Sequence, residues 1–155
     1  MSTTYEPIAT TTLGTAAASI TLSSIPSTFT DLVIIFTGTQ GAFDNTGLRF
    51  NGDTGSNYSK TMVYDANSNR GTNDTSIRIM IAGTTINSTI WQIMNYANST
   101  TYKTALCRSG IASDQVRMGV GLWRSTSAIN EVTFLAESGN FGTGTTVSIY
   151  GIKAA

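Results

Sequence analysis

The ten residues Gln115-Val116-Arg117-Met118-Gly119-Val120-Gly121-Leu122-Trp123-Arg124 alternate between two kinds of side chain. Val116, Met118, Val120 and Leu122 fall on one side, and Arg117, Gly119, Gly121 and Trp123 on the other. A period of two belongs to an extended strand, because successive Cβ atoms of a pleated backbone point to opposite faces. The aliphatic set is expected to face the core, which leaves the arginine, the two glycines and Trp123 outward. The pattern recurs elsewhere: Ile77, Ile79 and Ile81 inward with Arg78 and Met80 outward, Val132 with Phe134, and Val147 with Ile149. Leu32-Val33-Ile34-Ile35-Phe36 has no polar break, as expected of a strand covered on both faces. That strand is either central or turns its second face to another subunit.

Working outward, the remaining strands are expected at 8–13, 19–22, 31–38, 47–51, 60–65, 76–82, 89–96, 103–109, 130–136 and 145–153. Helical periodicity is nearly absent, since no window of a dozen residues holds apolar positions three and four apart without glycine or a β-branched run. Short, closely spaced strands with turn residues between them define an all-β chain, and the expected fold is a single antiparallel β-sandwich. Asn51-Gly52 is a preferred turn pair, and 51–57, 65–75, 95–101 and 138–146 read as loops. Pro7 and Pro26 cannot donate to a ladder, so residues 1–26 read as an extended N-terminal arm and edge strand, and 27–155 as the sandwich.

Nine basic residues balance nine acidic ones, and charged residues make up 12% of the 155-residue chain. That is about half the usual share, so serine, threonine, asparagine and glycine must keep the surface polar. The charges are scattered, which argues against a nucleic-acid partner. No apolar run approaches the length of a membrane span, and Met1-Ser2-Thr3-Thr4-Tyr5-Glu6-Pro7 lacks the features of a secretory signal, so synthesis in a cytoplasm is expected. The lone Cys107 fits a reducing compartment and reads as a small core residue.

With no histidine and one cysteine, neither Ser-His-Asp nor Cys-His catalysis nor the common zinc sites can be built. The carboxylates Glu6, Asp31, Asp44, Asp53, Asp65, Asp74, Asp114, Glu131 and Glu137 fall mostly in loops, and no spacing singles out an acid pair of the kind a glycosidase needs. No catalytic residue, metal or cofactor is expected. Asp53, in its Asn/Gly/Thr/Ser loop, has the composition of a calcium ligand without the full spacing, and reads as a solvated turn. The sequons starting at Asn57, Asn73, Asn87 and Asn98 follow from composition. Trp91, Tyr96 and Tyr102 could stack on sugar rings or pack inside. The strip of Arg117, Gly119, Gly121 and Trp123 has two readings: an interface, where absent side chains let another backbone approach beside an Arg/Trp hot spot, or a surface covered by loops of the same chain.

Two segments, Leu48-Arg49-Phe50-Asn51-Gly52-Asp53-Thr54-Gly55-Ser56-Asn57-Tyr58-Ser59 and Gly121-Leu122-Trp123-Arg124-Ser125-Thr126-Ser127-Ala128-Ile129-Asn130, resemble stretches in structural proteins of tailed bacteriophages, notably those of cyanobacteria and other aquatic hosts. Tyr5-Glu6-Pro7-Ile8-Ala9 and Ser148-Ile149-Tyr150-Gly151-Ile152-Lys153 are similar in the same way, so the resemblance runs over most of the chain. It implies a jelly-roll-like sandwich on the virion: a capsid decoration (cement) protein, or a domain of a tail or head fibre. The absence of coiled-coil heptads favours decoration. On that reading the partner is the major capsid protein, and the arm 2–13, with Tyr5, Pro7 and Ile8, lies along capsid or a neighbouring copy. Arg117, Gly119, Gly121 and Trp123 then pack between subunits of a homo-oligomer, a trimer by analogy. The fibre alternative is a receptor-binding module that grips host saccharide through Trp91, Tyr96 and Tyr102.

Overall fold

The computed structural model describes residues 4–112 and 115–153. Twelve strands run through these residues: β1 (Tyr5–Thr12), β2 (Ser19–Leu22), β3 (Asp31–Gly38), β4 (Asp44–Phe50), β5 (Tyr58–Tyr64), β6 (Asn67–Asp74), β7 (Ile77–Ala82), β8 (Asn87–Ile93), β9 (Lys103–Ile111), β10 (Val116–Trp123), β11 (Val132–Ala136) and β12 (Thr146–Ile152). All pairings are antiparallel. An eight-stranded sheet in the order β1-β12-β3-β8-β9-β10-β5-β6 packs on a four-stranded sheet in the order β2-β11-β4-β7. The all-β sandwich expected from the sequence is therefore the fold.

Rings tie the two layers together. Phe36 of β3 packs against Phe134 of β11 at 5.6 Å between centroids, and against Phe141 at 5.4 Å. Phe50 of β4 meets Trp123 of β10 at 5.6 Å and Tyr58 of β5 at 6.4 Å. Leu32, Ile34, Trp91, Ile93, Ala105, Cys107, Val147 and Ile149 complete the buried side of the larger sheet. Cys107 is a core residue whose thiol burial pushes well above its usual value, so it is a poor nucleophile.

Three features differ from the sequence reading. Within the expected arm and edge strand, Tyr5 to Thr12 is edge strand β1, paired along its length with β12 and bulged between Pro7 and Ala9 rather than extended as an arm. The bulge is where a proline on an edge strand is tolerated. The expected loop 65–75 is mostly β6, a strand polar on both faces whose residues are largely exposed. It returns from β5 through a two-residue turn in which Asp65 takes a left-handed φ of 50°. The third difference is the facing of β10. Gly119, Gly121 and Trp123 are buried, whereas Val116, Met118 and Val120 are exposed. The alternation is real, but the aliphatic side is outside. A Cβ on Gly121 would run into the fully buried Ile77 of β7, so the glycine lets the smaller sheet come close and the isoleucine supplies the missing bulk.

Tyr58 carries a testable consequence of this burial. Its hydroxyl accepts from the Phe50 amide at 3.1 Å and donates to the Phe50 carbonyl at 3.3 Å. Burial, only partly offset by the bond to Phe50, pushes its pKa up to about 12. Because the folded value lies above the unfolded one, its contribution is complete below about pH 10 and is lost as pH rises from 10 to 12. At 1.36 kcal/mol per unit the loss is about 2–3 kcal/mol. Lys103 works in the opposite sense. It is buried on β9 with its ammonium donating to the carbonyls of Thr101 (2.8 Å) and Thr126 (3.2 Å), and burial lowers its pKa. Urea midpoints taken from pH 8 to 12 on the native chain and on Tyr58→Phe isolate the tyrosine, and only the native chain should show its added alkaline loss.

Candidate docking face

Among the described residues, no layer covers the side of the eight-stranded sheet turned away from the smaller sheet. Val120 stands opposite Leu106 on β9, Leu106 opposite Gln92 on β8, and Gln92 opposite Val33 on β3. One row along, Val63, Met118, Arg108, Ile90 and Ile35 follow one another across β5, β10, β9, β8 and β3. Val116 is 71% exposed, Met94 62%, Met118 51% and Val120 47%. These are the side chains a core would normally claim.

With strands about 4.8 Å apart and a rise of about 3.3 Å per residue, the patch spans five strands and measures about 20 Å each way. Its footprint, about 400 Å² before side-chain relief, matches the functional patches of monomers and is about half of what one partner gives to a standard interface. Two concavities flank the Val120 row. One, of about 550 Å³, is lined by Val63, Ile90, Val116 and Met118; the other, of about 430 Å³, by Val33, Met94, Leu106 and Val120. Arg108, Gln92, Thr104 and Ser88 supply polar groups among and around the aliphatic ones, the anatomy of an interface with an apolar centre and a wet rim.

The residues singled out from the sequence are placed differently. Arg117 lies on the inner side of β10 with Gly119, Gly121 and Trp123, over the Tyr64 ring at 5.2 Å and bonded to Asn45 Oδ1 at 2.7 Å. Ile77 of β7 covers Gly121 and Phe50 of β4 packs on Trp123, so strands of the same chain, rather than the loops of the second reading, bury this part of the strip. Tyr5 and Pro7 are exposed on β1, and Ile8 packs partly against the core. Trp91 and Tyr96 are fully buried and only Tyr102 is exposed, so the three rings form no saccharide platform. Tyr96 donates its hydroxyl to the Pro26 carbonyl.

The segments that carry the resemblance, 48–59 and 121–130, meet in space. Asn51 Oδ1 accepts from the amides of Asn130 (2.9 Å) and Glu131 (3.2 Å), while its Nδ2 donates to the Ala128 carbonyl at 2.7 Å. Asp53 accepts from Trp123 Nε1 and from the Gly55 amide at 2.7 and 2.8 Å, and from Asn57 Nδ2 at 3.0 Å. Arg124 donates to the carbonyls of Ser56 and Tyr58 and to the Ser59 hydroxyl. The Asp53 oxygens that could bind calcium are thus engaged in a lock between two loops. Partial burial raises the Asp53 pKa, but the bonds from Trp123, Asn57 and Gly55 and the nearby Arg49 outweigh it and hold the carboxyl below its usual value. Its contribution is present above pH 3.8 and is lost as pH falls through the depressed folded value. Asp53→Ala should cost about 2–3 kcal/mol by chemical denaturation, because it strands the buried Trp123 N–H.

Comparison with protein-family models and with curated proteins found no match. Sequence reasoning missed the docking face because it assigned those aliphatic residues to the core. The usable signal was the pair Gly119 and Gly121 beside Trp123: a glycine strip ending in a large ring fits against an isoleucine-rich neighbour as well as an aliphatic row fits a core.

Proposed function

We propose that this chain is a non-enzymatic structural protein of a bacteriophage virion, a decoration (cement) protein that associates with itself through the apolar face of its larger sheet and sits on the outer surface of the major capsid protein. The observation that carries the reading is that face: a self-contained sandwich exposes Val63, Met94, Val116, Met118 and Val120 on one side. Composition favours other copies of the same chain as the occupant, since an apolar face carrying little charge is complementary to itself; at about 400 Å² per copy each contact lies at the small end of specific interfaces. The resemblance makes the expected assembly a trimer.

The order of strands supports the finer fold. With the β9-β10 hairpin and the outer strands β1 and β12 set aside, β2-β11-β4-β7 faces β3-β8-β5-β6. Two four-stranded sheets linked in that sequence make a jelly roll with one inserted hairpin, an architecture common in viral capsid proteins. The inserted β10 contributes Val116, Met118 and Val120, so the hairpin that departs from the simple jelly roll also builds the centre of the face.

Decoration needs no turnover. Each copy that binds only the assembled lattice stabilises it by mass action, and many weak contributions add. Light scattering on the purified chain tests the self-association: the reading predicts a particle of three times the 16.4 kDa chain at micromolar concentration. A monomer under those conditions would overturn it.

A further inference from the structure

The smaller sheet ends at β7, while the larger sheet continues past β10 through β5 and β6. The Tyr58 end of β5 packs on Phe50 in the core, whereas the inner side of β6 and the Tyr64 end of β5 overhang, and there the side chains change character. Lys60 and Tyr64 of β5 and Asn69 of β6 face inward beside Arg117 of β10. With Asn45 of β4, Arg78 of β7 and the single apolar Met62, they line a cleft of about 360 Å³. Its volume is in the range of small-molecule sites, and the cleft lies on the opposite side of the sheet from the docking face.

Three cations and no carboxylate line this cleft among the described residues. Lys60 Nζ is steadied from the rim by Asp74 at 3.2 Å, and Arg78 Nε by Glu137 at 2.8 Å. These bonds leave donors unused. The two terminal nitrogens of Arg78 have no partner among the described residues, and such an end-on fork matches the two oxygens of a carboxylate. The Lys60 side chain is 10% exposed and its charge is balanced by Asp74, so it serves the cleft as a hydrogen-bond donor held in place. Arg117 is held by Asn45, by Gln115 Oε1 at 2.7 Å and by the Tyr64 ring, and serves as a fixed wall. Hydroxyl and amide groups of Tyr64, Asn45 and Asn69 make the remaining lining suited to a hydroxylated ring rather than to an aliphatic stem.

We propose that this cleft binds an acidic monosaccharide unit, a hexuronate, with its carboxylate on Arg78 and Lys60 and its hydroxyls on Tyr64 and Asn69. The inference does not rest on the virion reading. It requires only the overhang of β5 and β6 beyond β7. A particle carrying many such clefts would adhere to acidic polysaccharide with high avidity even where each site is weak.

Calorimetric titration of the full chain with galacturonate, galactose and sulfate tests it. Galacturonate should bind saturably, galactose at least about tenfold more weakly, and sulfate more weakly than galacturonate. Arg78→Gln and Lys60→Gln should each weaken galacturonate about tenfold, and Arg78→Lys, which keeps the charge but loses the fork, should also weaken it, with each variant shown to be folded by circular dichroism at the titration temperature. Galacturonate that fails to saturate at millimolar concentration overturns the proposal. So does galactose of equal affinity, and so does sulfate of equal affinity, which would mark an adventitious ion only.

Discussion

Met118→Asp combined with Val120→Asp is expected to hold the protein as a folded monomer and to remove it from assembled particles. Both side chains stand on the outer side of β10, about half exposed, so replacing them leaves the sandwich core untouched. Exposed substitutions of this kind usually change stability by less than about 0.5 kcal/mol. In an assembly the balance is different. Two aliphatic side chains that each contribute about 1.5–3 kcal/mol when buried are lost, and two carboxylates must be desolvated in an apolar centre where Arg108, opposite position 118, answers only one of them. Self-association should fall at least about a hundredfold, read by sedimentation of native and double-variant protein, with circular dichroism and the urea midpoint unchanged. A variant that remains oligomeric would move the contact to another surface. One that unfolds would mean that the face is part of the core.

The second large effect lies directly beneath, on the other side of the same strand. Gly121→Val places methyl groups where Ile77 already sits, with no solvent path for either side chain to escape. Overpacking of a full core costs about 1–3 kcal/mol, and here the clash is with a β-branched neighbour of restricted rotamers, so the upper end is expected. For a chain of this size that corresponds to a fall of roughly 6–12 °C in Tm. Ile77→Ala in the Gly121→Val background should recover part of the loss, since the two residues share one volume. If Gly121→Val were neutral and Ile77→Ala gave no recovery, the glycine strip would not be covered by β7.

These two substitutions mark how far the sequence could be read. Period-two alternation identified β10, β7, β11 and β12 as strands, because it follows from the pleat alone. It did not say which side of β10 was inside. Hydropathy favoured the aliphatic row, yet a buried side can be made from two glycines and a tryptophan if the neighbour supplies Ile77, and that neighbour lies more than forty residues away in the chain. β6 was missed for a related reason. An edge strand with water on one face and an open cleft beneath the other needs no apolar period, so Asn67–Asp74 reads as loop. Trp91 and Tyr96 could be read as a ring platform or as core residues because aromatic residues near a polar loop carry no mark of their depth, which is set by strands packing above them. The unbroken run Leu32–Phe36 did carry a legible hint. Val33 and Ile35 contribute to the outer face, and a strand apolar on both sides in a sheet with one bare side is what the docking face requires. The cleft at β5 and β6 was not legible at all, since Asn45, Lys60, Arg78 and Arg117 come from four strands that only the topology brings together.

The central claim, decoration of a capsid, is tested most directly by counting this chain in purified virions by quantitative mass spectrometry against the major capsid protein. The account predicts a copy number approaching that of the capsid protein. A few copies per particle would place the chain in a tail or fibre, and its absence from the particle would contradict the virion reading outright.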